Sequence, residues 1–231
     1  MSVKNQFSKY AKEYKNHNII QQIVAKSLVR ELKFQPKRVL ELGCGSGQVF
    51  NHITWDIEFY KAIDFSSSMC ELHPKGENIE VKCFDFDTQE FLDEIKNNSY
   101  DIVLSSSALQ WSKDLSKIIK QLSLITNEIN AVLFTSNTFK TIQEITNTKS
   151  PILEENSIKE AFSKYFTCEF ETILYKLEFD NKKDLFDYIK KSGVSGGNAS
   201  LDFADAKKLY KEYNLNYLEF EVIFVKTISK L

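Results

Sequence analysis

Three of the chain's seven glycines fall within five residues, Gly43-Cys44-Gly45-Ser46-Gly47, directly after the short run Arg38-Val-Leu-Glu-Leu42. Glycine weakens ordinary helices and strands, and suits backbone that turns sharply or lies close to a ligand. The stretch therefore reads as a buried strand entering a tight turn, with Gln48-Val-Phe-Asn-His-Ile53 continuing as helix. In α/β sheets a turn of this kind is a nucleotide-binding loop. The spacing narrows the ligand. A dinucleotide fingerprint needs its third glycine where Gln48 stands, and here it comes one residue early. A P-loop needs Gly-Lys-Ser/Thr, which Gly47-Gln48-Val49 does not supply. Glu41, beside the turn, places a carboxylate where a cationic ligand is attracted.

The rest of the chain sets strands against helices. Residues 5–33 carry helical periodicity, with Ile19, Ile20, Ile23, Val24, Leu28 and Leu32 recurring at spacings of three and four. Pro36 ends that segment. A second strand, Glu58 to Asp64, ends in an acid at about the distance from the glycines expected of a ribose-binding carboxylate. Ser66 caps a short helix, and further strands follow at 78–84, 100–106 and 131–136, with a helix over Leu115–Ile125. Alternation of this kind predicts a doubly wound, mostly parallel α/β sheet. Ligand groups then belong at the carboxyl ends of the strands, where Gly43–Gly47, Asp64, Asp85 and Ser105–Ser106 all fall. Beyond residue 137 the rhythm changes. Helices are expected near 137–147, 157–165, 182–192 and 203–212, with long strands at Phe166–Asp180 and Asn216–Ile228. No linker or repeat divides residues 1–231, so one domain is expected, with an N-terminal helical segment (1–35) and substrate-side insertions (137–215).

Composition excludes several classes. A formal net charge of −2 argues against a nucleic-acid grip built on bulk positive charge. No run is long and apolar enough for a membrane span, and the first residues lack a signal-peptide core, so a cytoplasmic protein is expected. Cys44, Cys70, Cys83 and Cys168 are scattered in sequence without a C-x-x-C pair, and His17, His52 and His73 are equally dispersed, so no metal site is expected. Cys44 reads as a small packing residue inside the turn.

The run Glu41-Leu-Gly-Cys-Gly-Ser-Gly47 resembles motif I of the class I S-adenosylmethionine (SAM) methyltransferases. SAM is a cationic nucleoside without phosphate, which suits a glycine turn flanked by carboxylates. The resemblance implies a seven-stranded sheet closed by an antiparallel C-terminal strand pair, an N-terminal helical lid, and S-adenosylhomocysteine as the spent cofactor. It also implies that Glu41, Gly43, Cys44, Gly45 and Gly47 form the cofactor's floor and that Asp64 holds its ribose. Phe65 and Met69 would flank the adenine, Asp85 and Phe86 would read its edge, and backbone near Ser105 would meet the ammonium.

Three further stretches, Phe7-Ser-Lys-Tyr-Ala-Lys-Glu-Tyr14-Lys-Asn-His17, Ser105-Ser-Ser-Ala-Leu-Gln110-Trp111 and Tyr188-Ile-Lys-Lys-Ser-Gly193, resemble the malonyl-[acyl-carrier protein] O-methyltransferases of biotin synthesis. That resemblance implies methyl transfer to a malonyl carboxylate, with Tyr14 on a lid and Gln110 and Trp111 lining the substrate mouth. A malonyl-loaded acyl carrier protein would be the partner, and Lys183, Lys190 and Lys191 are candidates to meet its acidic surface, Lys183 and Lys190 sharing a helical face. A monomer is expected. The pattern departs from that family at Asn130, where glycine is usual, and in having only two arginines, Arg30 and Arg38. Two other readings stay open: a class I methyltransferase acting on a different small molecule, and a SAM-binding regulator without turnover. Gln48 disfavours an NAD-dependent oxidoreductase.

Overall fold

In the computed structural model, residues 18–191 and 203–231 are described. Seven strands form one sheet in the order β3-β2-β1-β4-β5-β7-β6. The first five, β1 (Arg38–Leu42), β2 (Phe59–Asp64), β3 (Ile79–Cys83), β4 (Ile102–Ser106) and β5 (Ile129–Phe134), run parallel. β6 (Phe166–Glu178) and β7 (Tyr217–Lys230) are long and antiparallel, and β7 inserts between β5 and β6. This is the fold expected from the sequence, with strand ends shifted by a residue or two.

The central strands are short because both of their faces are covered. All six residues of β5 are buried, as are four of the five in β1 and in β4. Such strands read as near-continuous apolar runs. One face packs under α1 (Ile19–Arg30), whose inward positions Ile20, Val24, Ala25 and Leu28 lie among Tyr60, Phe134 and Phe220. The other packs under α3 (Gln89–Ile95), α4 (Leu115–Leu122) and α6 (Glu155–Ser163), with Leu40, Leu42, Phe91, Ile119 and Phe162 at its centre. Each buried side chain of this size contributes about 1.5–3 kcal/mol. A short α2 (Ser67–Leu72) follows β2, and α5 (Lys140–Thr146), α7 (Lys182–Lys191) and α8 (Phe203–Glu212) complete the helices among the described residues. Among these residues no helix is long and apolar enough to cross a membrane.

With β3 at the other edge, β6 is one of the two edge strands. Glu169, Glu171, Lys176 and Glu178 punctuate it, and its pairing with β7 shifts register at Thr167/Cys168. Charges and irregularity of this kind discourage a second chain from adding to the edge.

Two local expectations need correction or fall outside. The helix expected over Gln48–Ile53 is only a turn and a 3-10 segment, Phe50–His52. His52 and Ile53 donate to the carbonyls three residues back, at 3.0 Å each, and Ile53 is already extended. Three left-handed glycines occupy the first five residues of the connection from Leu42 to Phe59, and with Ile53 already extended only a single 3-10 turn forms. The segment 5–17 and the loop around Gly193 lie outside the described residues.

Position in the sheet fixes where a ligand can bind. Strand order runs outward from β1 in one direction through β2 and β3, and in the other through β4 and β5. The chain's connections therefore diverge between β1 and β4, which opens a crevice at their carboxyl ends.

Candidate functional site

The crevice floor is the turn after β1. Gly43, Gly45 and Gly47 have φ of 73°, 51° and 88°, in the left-handed region that only glycine enters freely. Two are also crowded. A Cβ on Gly43 would lie 2.0 Å from that of Ala108, and one on Gly47 would lie 2.5 Å from Pro74 Cδ, whereas Gly45 faces open space. The backbone N–H groups of Gly43 and Cys44 both donate to Ile63 O, at 2.7 and 3.0 Å, and so lash the turn to β2.

Asp64 ends β2 and braces the same turn. Its Oδ2 accepts from Gly45 N at 2.9 Å and its Oδ1 from Ser66 N at 2.8 Å. Burial pushes its carboxyl up to about 6, against the two backbone bonds from Ser66 and Gly45, and the charge of Glu41 adds to the rise. Glu41 is itself 1% exposed. Tyr60 Oη donates to Glu41 Oε2 at 2.5 Å, and His73 Nε2 stands 3.8 Å from the same oxygen. Burial, then the Glu41 charge, pushes the Tyr60 hydroxyl well above its ordinary range, so it remains a donor. His73 Nδ1 lies 2.9 Å from Pro74 O. A carbonyl can only accept, so that nitrogen carries a proton.

Above this floor lies a cavity of about 670 Å³ counting its open mouth. Of the residues singled out from the sequence, Glu41, Gly43, Cys44, Gly45, Asp64, Phe65, Met69, Phe86 and Trp111 line it. Gly47, Asp85, Ser105 and Gln110 do not. Gly47 turns away against Pro74. Asp85 is exposed and accepts from Asp87 N at 3.0 Å, a local turn that leaves Phe86 to face the cavity. Ser105 is buried beneath, donating to Leu42 O at 2.9 Å. Gln110 is buried as well, and its Nε2 donates to Ser107 O at 2.8 Å. Lys183 is exposed on α7 and is not part of the lining. Tyr14 and the side chains of Lys190 and Lys191 lie outside the described residues.

The lining also includes Ser106, one of the strand-end positions singled out from the sequence, and residues that sequence reasoning missed, among them Gln21, Gln48 and Ser107. A signal existed for Gln21. It is a polar residue, 4% exposed, on the inward face of α1 between Ile20 and Val24. Ser107 adopts φ 60°, a conformation uncommon for serine, held by Ser107 N donating to Val132 O at 2.8 Å and by the bond from Gln110. The hydroxyl oxygens of Ser106 and Ser107 are buried and lack a hydrogen-bond partner among the described residues.

The cavity is walled by two carboxylates and by apolar or aromatic side chains, and no lysine or arginine is among its described lining residues. Glycines remove side chains from the floor, Asp64 stands at the strand end where ribose hydroxyls would need an acceptor, and Phe65, Met69 and Phe86 give flat apolar contact. These groups fit a cationic, phosphate-free nucleoside such as SAM. A phosphate would meet Glu41 and Asp64 with no cation to balance it.

Known proteins agree with this geometry. Residues 40–127, which span the glycine turn, Asp64, Phe86 and Trp111, match the family described as methyltransferase domain. The malonyl-[acyl-carrier protein] O-methyltransferase of Bacillus cereus is 25% identical over 220 residues, covering 85% of this chain and 81% of that relative. Among solved structures, the YcgJ protein from Bacillus subtilis superposes with a TM-score of 0.66 at 13% identity, covering 90% of this chain and 99% of that one. A SAM-dependent methyltransferase from Archaeoglobus fulgidus superposes with a TM-score of 0.55 at 12% identity, covering 90% and 94%. Residues 40–127 of this chain thus carry the match to the methyltransferase domain, and the chain over most of its length is similar to the malonyl-[acyl-carrier protein] O-methyltransferases and shares the fold of SAM-dependent methyltransferases.

Proposed function

We propose that the enzyme methylates the free carboxylate of a malonyl thioester carried on an acyl carrier protein, giving the methyl ester used in pimeloyl and biotin synthesis. The observation that carries this reading is the absence of a poised base among the described lining residues. The titratable side chains of the lining are Glu41, Cys44 and Asp64, and both carboxylates are tied into the floor. A hydroxyl or amine acceptor must lose a proton to be methylated, whereas a carboxylate is already ionised at neutral pH. The likeness to the malonyl-[acyl-carrier protein] O-methyltransferase of Bacillus cereus supports the same acceptor.

Bound SAM would supply a methyl group on a sulfonium, open to in-line attack by a carboxylate oxygen. The work left to the chain is to align and to exclude water, which can supply roughly 7–11 kcal/mol in favourable cases. On this reading Asp64 accepts from the ribose, Phe65, Met69 and Phe86 hold the adenine, and Glu41 complements the cofactor's positive charge. Trp111 and the Ser106–Ala108 turn wall the acceptor side, and Gln110 is a positioning residue that holds Ser107. Tyr14 belongs to a lid over the methyl donor, and Lys183, with Lys190 and Lys191, meets the carrier.

The test is transfer of labelled methyl from SAM to malonyl-loaded carrier protein, compared with malonyl-coenzyme A, free malonate and unrelated acids. Preference for the loaded carrier, with a base-labile methyl ester as product, is expected. Transfer only to free small molecules would overturn the carrier assignment, and SAM binding with no transfer to any acceptor would mark a regulator.

A further inference from the structure

Three of the four cysteines, scattered in sequence, converge on one turn of chain. β3 pairs with β2 so that Cys83 lies opposite Asp64. α2 then folds back and brings Cys70 to the same place. Each cysteine is anchored to a successive carbonyl: Cys44 N donates to Ile63 O at 3.0 Å, Cys70 Sγ to Asp64 O at 3.5 Å, and Cys83 Sγ to Phe65 O at 3.5 Å. The Cys70 thiol sits between the other two, within hydrogen-bonding reach of both Cys44 and Cys83. All are reduced here, and Cys83 is exposed whereas Cys70 and Cys44 are buried. The described residues hold no group of three His, Cys, Asp or Glu side chains arranged for a metal ion.

We infer that Cys70 and Cys83 form a reversible disulfide under hydroperoxide, and that this bond weakens the cofactor site. Hydrogen peroxide oxidises the exposed Cys83 sulfur to a sulfenic acid and is itself reduced to water. The Cys70 thiolate then attacks that sulfur, the S–S bond forms, and the hydroxyl leaves as a second water with one proton. The neighbours favour Cys70 as the attacking group. The hydrogen bond from Cys44 lowers its thiol below the ordinary range against the effect of burial, with a smaller contribution from Cys83. The same bond, with burial, raises Cys44. Cys44 is also the more deeply buried of the two, and its Sγ donates to Gly45 O at 3.7 Å within the glycine turn.

The site feels the bond because Cys70 follows Met69, and Cys83 holds Phe65, and both neighbours line the cavity. Closing two sulfurs from hydrogen-bonding contact to about 2 Å draws α2 toward β3 across the Asp64–Phe65 corner. The cofactor's adenosine end would lose its walls while the glycine turn stayed in place.

The full chain, reduced and then treated with hydrogen peroxide, is to be mapped by non-reducing peptide mass spectrometry and titrated calorimetrically with S-adenosylhomocysteine. A Cys70–Cys83 cross-link is expected, with affinity at least tenfold weaker and restored by dithiothreitol. Cys83→Ser, whose hydroxyl can still donate to Phe65 O, is expected to bind like the untreated protein and to lose the response, whereas Cys168→Ser keeps it. Intact thiols after treatment, a cross-link to Cys44 instead, or a cross-link that leaves affinity unchanged would each overturn the inference. The mapping does not depend on the cofactor, so a cross-link in a protein that never bound S-adenosylhomocysteine would count against the SAM reading alone.

Discussion

The carboxylate of Asp64 and the backbone N–H of Gly45 meet at 2.9 Å, so the acid that ends β2 braces the turn that ends β1. The same carboxylate is pushed up to about 6 by its burial. This sets a pH dependence. For an acid, a raised folded-state pKa means that the folded, ligand-free protein binds the proton more tightly than the unfolded chain does. Stability from this group is therefore greatest at low pH and falls as pH rises from about 4 through 6, by about 3 kcal/mol in all. A cationic ligand whose hydroxyls donate to Asp64 favours the ionised form. SAM affinity is then expected to rise through pH 6 and to level off above 7, with proton release visible as a buffer-dependent binding enthalpy. In Asp64→Asn the amide oxygen can accept from only one of Gly45 and Ser66 and the NH₂ confronts the other donor, so at least tenfold loss of affinity and a flat pH profile are expected. An unchanged profile in that variant would remove Asp64 as the titrating group.

The three glycines are expected to respond differently to alanine. Gly43→Ala puts a methyl into Ala108 and also forces a left-handed alanine, for about 3–4 kcal/mol of lost stability. Gly45→Ala keeps open space around it and should lose only about 1–2 kcal/mol. Gly47→Ala falls between, since Pro74 Cδ is 2.5 Å away but at the margin of the turn. Denaturant unfolding of the three variants gives the order. Equal losses at all three would mean that φ alone governs the turn.

What could be read from the chain alone follows from what was local. Gly43 to Gly47 advertise a backbone need, and Asp64 sits at a strand end whose position the apolar run Phe59–Ile63 already fixes. Asp85 shows the limit of that logic. It too follows a strand, yet it closes a turn on Asp87 N and faces solvent, and only the course of the backbone decides between it and Phe86. Ser107 was hidden for a related reason, because its left-handed turn depends on a bond to Val132 in the next strand. The meeting of Cys70 and Cys83 depends on the β2–β3 register and on α2 folding back, neither of which spacing along the chain reports.

Tyr60 tests whether Glu41 acts through its charge. The Tyr60 hydroxyl donates to Glu41 Oε2 from within the core, and removing it leaves that oxygen facing His73 Nε2 at 3.8 Å. Tyr60→Phe keeps the packing and deletes one donor to a buried carboxylate, a loss of about 1–3 kcal/mol. Calorimetry should also show threefold to tenfold weaker SAM binding, because Glu41 is no longer fixed beside the turn. Lost stability with unaltered affinity would confine the pair to a structural role.

Lys61 allows the contribution of a buried charge to be separated from that of its stem. Its side chain is 3% exposed on β2 and pairs with Glu80 at 3.2 Å and with Glu94, while both carboxylates keep a path to water at 35% and 26% exposure. Removing the lysine therefore does not strand a buried anion, and the usual heavy penalty for breaking a buried pair does not apply in full. Lys61→Met preserves the apolar stem and avoids desolvating an ammonium, so a change within about 1.5 kcal/mol is expected. Lys61→Ala opens a cavity beneath α3 and should lose about 2–4 kcal/mol. Urea unfolding of both variants, with the Glu94→Gln change added to each, separates charge from packing. If methionine proved as damaging as alanine, the ion pair itself and not the filled volume would be holding α3 to the sheet.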